Sequence, residues 1–395
     1  MLAFLGALAG GAILMTVPAE WLLYSVIAIL CIGATTLPVV ASIGGIDLQV
    51  GDIALILVAA TCLVRGPAMP RHSEIIVWAI LLLTWGILRT MWVPFSISSY
   101  LRLFLPVLVM PLLVRVAPPG WRPWTALRIV AIVIVLEAAV ESLPALPARW
   151  GSIAGGPAET GLVSAVLVTL SAAMPKGDRS RLIGLMIGSI GILGTRSIMS
   201  AIAVAFALAY LAIARSGAGT RRGLSVLAIG ALVVTVFSAT LALRQPSGAG
   251  VPAAQTLEFH SRLAGQVSDA FAKVDPIIGG GWGASRSLTT TEGPTGQSLA
   301  LHNVYLDWLV DLGITGLALL FVWLWVLFRA AELDGRIVVV TTAIWSNVAN
   351  ASPTIGWSMF AFVTLACMVP VAAEAIGLPP SASMRNTGRK TAAPT

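Results

Sequence analysis

Long apolar runs, broken by short polar connections, make up most of this chain. Runs able to cross or nearly cross about 30 Å of hydrocarbon occur at 2–17, 21–43, 50–64, 75–92, 100–117, 125–142, 159–174, 182–195, 197–214, 223–243, 304–328, 337–350 and 355–376. Barrel strands would alternate polar and apolar residues, and these runs do not. Helices, which satisfy their own backbone hydrogen bonds, are then the spanning element. The pattern predicts an all-α polytopic membrane protein with about 12–13 transmembrane helices, the first two runs being the weakest. Residues 1–243 form the N-terminal helices and 244–303 a polar extracytoplasmic loop carrying an amphipathic helix. Residues 304–378 form the C-terminal helices, and 379–395 a polar tail expected to be disordered and cytoplasmic.

Composition agrees. The 395 residues are 57% hydrophobic and 10% charged, with a mean hydropathy of +0.93; a soluble domain carries roughly 25% charged residues. Too little polar surface remains for the chain to sit in water. Cys31, Cys62 and Cys367 all fall inside apolar runs and read as small core residues rather than disulfides or metal ligands. The N-terminus lacks a basic region ahead of a cleavage site, so the first apolar segment is expected to stay in the membrane.

The net charge of +7 does not point to nucleic acid, because the basic residues cluster in short connections. Arg65, Arg71, Arg115, Arg122, Arg128, Lys176, Arg179, Arg181, Arg215, Arg221, Arg222, Arg329, Arg336, Arg385, Arg389 and Lys390 fall on alternate connections. The positive-inside rule makes these cytoplasmic and puts the 244–303 loop outside. Eight basic residues remain on the outer side: Arg89, Arg102, Arg149, Arg196, Arg244, Arg262, Lys273 and Arg286. Acids such as Glu141 and Glu159 can satisfy some; the rest suggest an anionic ligand at the outer leaflet.

The candidate chemistry centres on LHNVYLDWLVDLGITGLALL, residues 301–320. It sets His302, with Asn303 beside it, at the mouth of a hydrophobic helix, where an imidazole can do acid/base work on a substrate arriving through the bilayer. On that helix Asp307 and Asp311 fall about 140° and 180° away from His302, so Asn303 or a loop residue is expected to orient the ring. A lone histidine is more commonly structural; His260 is the competitor, and His72 falls on the cytoplasmic side.

Arg196, in GTRSIMS, sits at a turn and opens the next helix. The macrodipole is already positive there, and an anion held by free N–H groups, the guanidinium and the hydroxyls of Thr195, Ser197 and Ser200 would resolve the conflict. A hydrated interfacial arginine explains it equally. Arg262 begins SRLAGQVSDAFAKV, in which Leu263, Val267, Ala270, Phe271 and Val274 form an apolar stripe. Arg262, Gln266, Asp269 and Lys273 lie opposite, and an ordinary solvated face is the plainer reading. Gly279, Gly280, Gly281 and Gly283 surround Trp282, either for close backbone approach or as a flexible turn. The outer segments contain no paired aspartates and no His/Cys cluster. No metal or other cofactor is expected, and arginines would have to neutralise a phosphorylated leaving group.

These residues resemble the O-antigen ligase and polymerase family. The shared elements are Thr195-Arg196-Ser197 at an outer turn, Ser261-Arg262 at the loop helix, and a Pro-x-x-Gly-x-Gly element from Pro276 to Gly281. The closing element is His302, Asn303, Tyr305, Leu306, Asp311, Leu312 and Gly313. The likeness is strong over 258–320 and moderate over 145–215; earlier it is hydropathy alone. Gly155-Gly156-Pro157-Ala158-Glu159 stands where the family often has Gly-Asn-Pro-Asn, the Arg196 motif lacks the usual glycine, and the outer loop is short.

The resemblance implies a metal-independent, inverting glycosyltransferase of the bacterial inner membrane, with its active site on the periplasmic side. An undecaprenyl-diphosphate-linked glycan would pass to an acceptor hydroxyl, on the lipid A–core for a ligase or on a growing glycan for an O-antigen or exopolysaccharide polymerase. His302 would be the base, and Arg196 and Arg262 would grip the diphosphate. Arg149, Arg286, Asn303 and Gly281 would make further donor contacts, and membrane lipids would surround the whole. A lipid-linked glycan transporter is the alternative from another class; it needs polar groups near the midplane, for which Glu137 is the best candidate. A polymerase of the shape-and-division type ranks below, because it would carry an acid where His302 stands.

Overall fold

The computed structural model describes residues 18–32, 39–43, 46–65, 73–90, 105–107, 109, 112, 121, 123–142, 150–152, 156–175, 177–216, 269–288, 291–292, 298–299, 304–346, 360–364 and 366–367. In chain order the elements are α1 (Ala19–Ile32), β1 (Val39–Ile43), β2 (Ile46–Gln49), α2 (Val50–Arg65), α3 (Ser73–Thr90) and α4 (Pro123–Ser142). There follow α5 (Pro157–Ala173), α6 (Arg179–Thr195), α7 (Ile198–Ser216), α8 (Ala284–Leu288), β3 (Thr291–Glu292), β4 (Ser298–Leu299), α9 (Val304–Ala330) and α10 (Leu333–Trp345). The architecture is that of an all-α membrane protein, with two short ribbons as its β structure among the described residues.

The apolar pattern places most of these helices to within a few residues. Pro123 and Pro157 open α4 and α5, at the position where a missing N–H leaves no helical bond unmade. Asp178 caps α6, accepting from the Ser180 N–H at 2.8 Å; this bond and one from the Ser180 hydroxyl hold its carboxyl below the usual carboxylate range. The run 21–43 is a correction. Its helix stops at Ile32, and β1 pairs antiparallel with β2, Ile43 opposite Ile46. Pro38 cannot continue a helix, β-branched Val39, Val40 and Ile43 favour extended chain, and Gly44-Gly45 separates the strands.

Helix α5 is the centre of the bundle. It is buried from Thr160 to Ala172, packed by α4, α6, α7 and α10, as a helix apolar on every side should be. Gly184, Gly188 and Gly191 of α6 press against its Ser171, Val168 and Ser164, so the two backbones approach closely in the way small residues permit within membranes. The other face of α6 exposes Leu182, Ile183, Met186, Ile190 and Leu193, and α4 likewise exposes Ile129, Val133, Leu136 and Val140. Apolar surface on that scale needs lipid, not water. Among the described residues three helices, α4, α7 and α9, are long and apolar enough to cross a membrane.

The helix ends sort by charge. Arg215, closing α7, donates to the Ala172 and Ala173 carbonyls at the end of α5. Asp334, opening α10, feels both Arg128 and Arg215, and the start of α10 packs on the second half of α7 and the end of α5. The opposite end therefore gathers the start of α5, the α6–α7 turn with Arg196, and the end of α10. There the Val304 N–H opening α9 donates to Ser346 O at 3.1 Å.

Candidate active site

Arg196 is the C-cap of α6, at φ 51° and ψ 35°, and the one non-glycine residue with positive φ among those described. Glycine is the ordinary occupant of such a position. As a C-cap the guanidinium lies favourably at the negative end of α6, so the expected conflict with α7 is relieved within the chain. Its side chain is exposed. The hydroxyls expected to join it in binding an anion are placed otherwise. Ser197 and Ser200 are buried and bonded to each other at 2.7 Å, against Gly161 of α5. Thr195 donates to Ile192 O at 3.1 Å. Packing has claimed these groups; the guanidinium remains at the surface.

Arg149 lies outside the described residues, but the next residue is fixed. The Trp150 N–H donates to Gly194 O at 3.2 Å, and the indole covers Gly194 so closely that a Cβ there would overlap it. The chain leaving Arg149 is thus tied two residues from Arg196.

The second part of the site is a break in α9 that sequence periodicity did not reveal. The run 304–328 reads as one helix, yet Gly313 has φ 69° and ψ −174°, which divides α9 into an upper segment before Gly313 and a lower one after it. A broken helix strands carbonyls above and N–H groups below. The loop from Pro276 to Gly283 supplies partners for both. Gly280 N–H donates to Val310 O (2.9 Å) and Gly281 N–H to Asp311 O (2.7 Å). Ile314 N–H donates to Pro276 O (2.9 Å) and Thr315 N–H to Ile277 O (3.1 Å). The Trp85 indole of α3 donates to Leu312 O at 3.1 Å. The glycines are required by contact, since a Cβ on Gly279 would overlap the Asp311 carbonyl, and one on Gly313 the Ile277 carbonyl.

Asp311 extends this latch. Its buried carboxylate accepts from Gly283 N–H at 2.9 Å and Ser285 N–H at 2.6 Å, binding the start of α8. Trp282 meets Trp308 edge-on, with ring centroids 5.7 Å apart. Asp275 turns the loop by accepting from Ile277 and Ile278 N–H at 2.8 and 3.2 Å. Asp311 and Gly313 therefore anchor the loop, and Trp85 meets a carbonyl at the break in α9; sequence reading gave none of them that role. An acid two residues before a glycine within a helical pattern was the available signal.

Of the residues expected from sequence, Gly281 is buried in the latch with its N–H directed at Asp311 O, and Arg286 follows Ser285 on α8. His302, Asn303 and Arg262 lie outside the described residues, as does most of the expected loop helix, of which residues 269–272 are helical. His302 stands two residues before Val304, which is bonded to Ser346, and Asp311 lies roughly 10 Å further along the helix.

Residues 183–321 match the family model described as O-antigen ligase. Over this segment the chain is similar to the O-antigen ligase family. The match runs from α6 through the Arg196 turn and the latch into the lower half of α9. It supports an enzyme of the ligase or polymerase type, acting in general on a lipid-linked glycan and an acceptor. No curated protein matches the chain.

The O-antigen ligase segment yields a stability prediction. Gly313→Ala should cost at least about 1–3 kcal/mol from backbone strain alone, plus the clash with the Ile277 carbonyl. Gly177→Ala is the control, because Gly177 has φ 98° but open space around it. Thermal unfolding in detergent should show a larger fall for Gly313→Ala; equal falls would mean that the latch contributes nothing.

Proposed function

We propose that this protein is an O-antigen ligase-like glycosyltransferase. It moves a glycan from undecaprenyl diphosphate to a lipid A–core hydroxyl on the periplasmic face of the bacterial inner membrane. The observation that carries the reading is the family match over 183–321, which takes in Arg196, Arg262, the Pro276–Gly281 element, Arg286 and His302 together. Backbone strain at Arg196 adds support: a side chain held where glycine would be easier points to a function for that side chain.

In this mechanism His302 takes the proton from the acceptor hydroxyl as its oxygen attacks the anomeric carbon. Imidazole, with a reference pKa near 6.5, suits that task near neutral pH. The bond from the anomeric carbon to the diphosphate oxygen breaks, and Arg196 and Arg262 stabilise the charge gathering on the leaving diphosphate. Direct displacement inverts the anomeric centre and needs no metal. Arg149, next in sequence to Trp150, and Arg286, on the latched α8, make further phosphate or sugar contacts. Asn303 orients the imidazole, and Gly281 lets the backbone approach the donor.

A deletion strain tests the substrate. Its lipopolysaccharide should lose the O-antigen ladder while lipid-linked polymer accumulates. Loss of the polymer itself would instead make the protein a polymerase.

A further inference from the structure

Arg89 was one of eight basic residues on the expected outer side with no topological reason to be there. It closes α3 half-buried and donates from Nε to Ile278 O at 2.8 Å and from Nη2 to Gly279 O at 2.7 Å. These carbonyls stand between the loop residues that pair with the lower half of α9, Pro276 and Ile277, and those that pair with the upper half, Gly280 and Gly281. Neither accepts from α9 in the bonds that join the loop to the broken helix; Arg89 of α3 meets both.

The surroundings make that costly. Ile277 and Ile314, at the break, are exposed, as is Leu88 beside Arg89. Apolar side chains offered outward on all three segments suit lipid, where a bare carbonyl has little water to turn to. Two adjacent carbonyls are met together by a planar guanidinium; an ammonium is a compact charge whose three rotatable donors lack that fixed fork.

We infer that Arg89 is a positioning residue for glycan transfer: its two-pronged grip fixes the register of the Pro276–Gly283 loop on broken α9, and so the placement of α8, which carries Arg286. This rests on the function proposed above. Arg89 touches neither donor nor acceptor; it acts through the loop.

The test uses the full-length protein in nanodiscs, labelled with 5-fluorotryptophan, with the Trp282 resonance assigned through Trp282→Phe. Because Trp282 rides on the loop against Trp308, its fluorine shift reports docking independently of activity. Arg89→Ala should shift or broaden that resonance and lower kcat at least tenfold at saturating donor, with a smaller change in KM. Arg89→Lys, the variant expected to keep the fold, should move the resonance in the same sense with an intermediate rate. An unmoved resonance in Arg89→Lys, or a moved one with wild-type kcat, would overturn the proposal. Absence of transfer by the unsubstituted protein would instead sink the functional reading, while the resonance still reported whether the loop had moved.

Discussion

His302→Ala should abolish glycan transfer while leaving folded protein. General-base assistance is worth roughly 10²–10⁴-fold, and the variant's turnover should fall by that factor. His302 stands two residues before α9, and the bonds described for the latch and for the Val304–Ser346 junction are made by other residues. Release of lipid A–core-linked glycan in membranes, read beside thermal unfolding, checks both halves. Substantial residual transfer by stable protein would remove the base assignment, leaving His260 as the outer-loop histidine to examine. A rate that recovers as the pH rises would support the base role, hydroxide standing in for the missing imidazole; an equal loss at every pH would mean that the imidazole assists binding rather than proton removal.

Arg196→Gly separates chemistry from packing more sharply than an alanine variant can. The backbone at Arg196 is left-handed, and glycine adopts that conformation without the strain a side chain meets. Stability should therefore hold or rise slightly. If the guanidinium stabilises the departing diphosphate, losing it should cost about 10²–10³-fold in kcat, the usual scale for one electrostatic donor. Stable protein with little transfer is the expected pair of results. Stable protein with full transfer would reduce Arg196 to a surface cap.

Apolar runs in the sequence marked helices because lipid imposes one rule on every residue of a crossing segment. That rule is local, so α4, α5, α6, α7 and the lower part of α9 could be read directly. It fails where a run stops being a single element. Residues 21–43 contain a helix and a strand with the same hydropathy, told apart only by Pro38 and the β-branched residues after it. Gly313 breaks α9 because a loop nearly forty residues upstream supplies the missing bonds, and no window of periodicity contains both partners. The same distance hid Arg89, whose charge was visible but whose carbonyl partners lie in another part of the chain. Arg196 was legible as a turn arginine, yet its strained backbone was not, since sequence does not state φ. The inward-facing Ser197 and Ser200 show the converse error: hydroxyls beside an arginine suggested an anion site, and α5 had already taken them.

The most direct measurement is transfer by the purified protein in proteoliposomes supplied with a radiolabelled glycan on undecaprenyl diphosphate and with lipid A–core. Label should appear on the core with the anomeric configuration inverted, undecaprenyl diphosphate should be released in equal amount, and His302→Ala should give neither. Label that stays on undecaprenyl diphosphate, or crosses the bilayer still attached to it, would contradict the account.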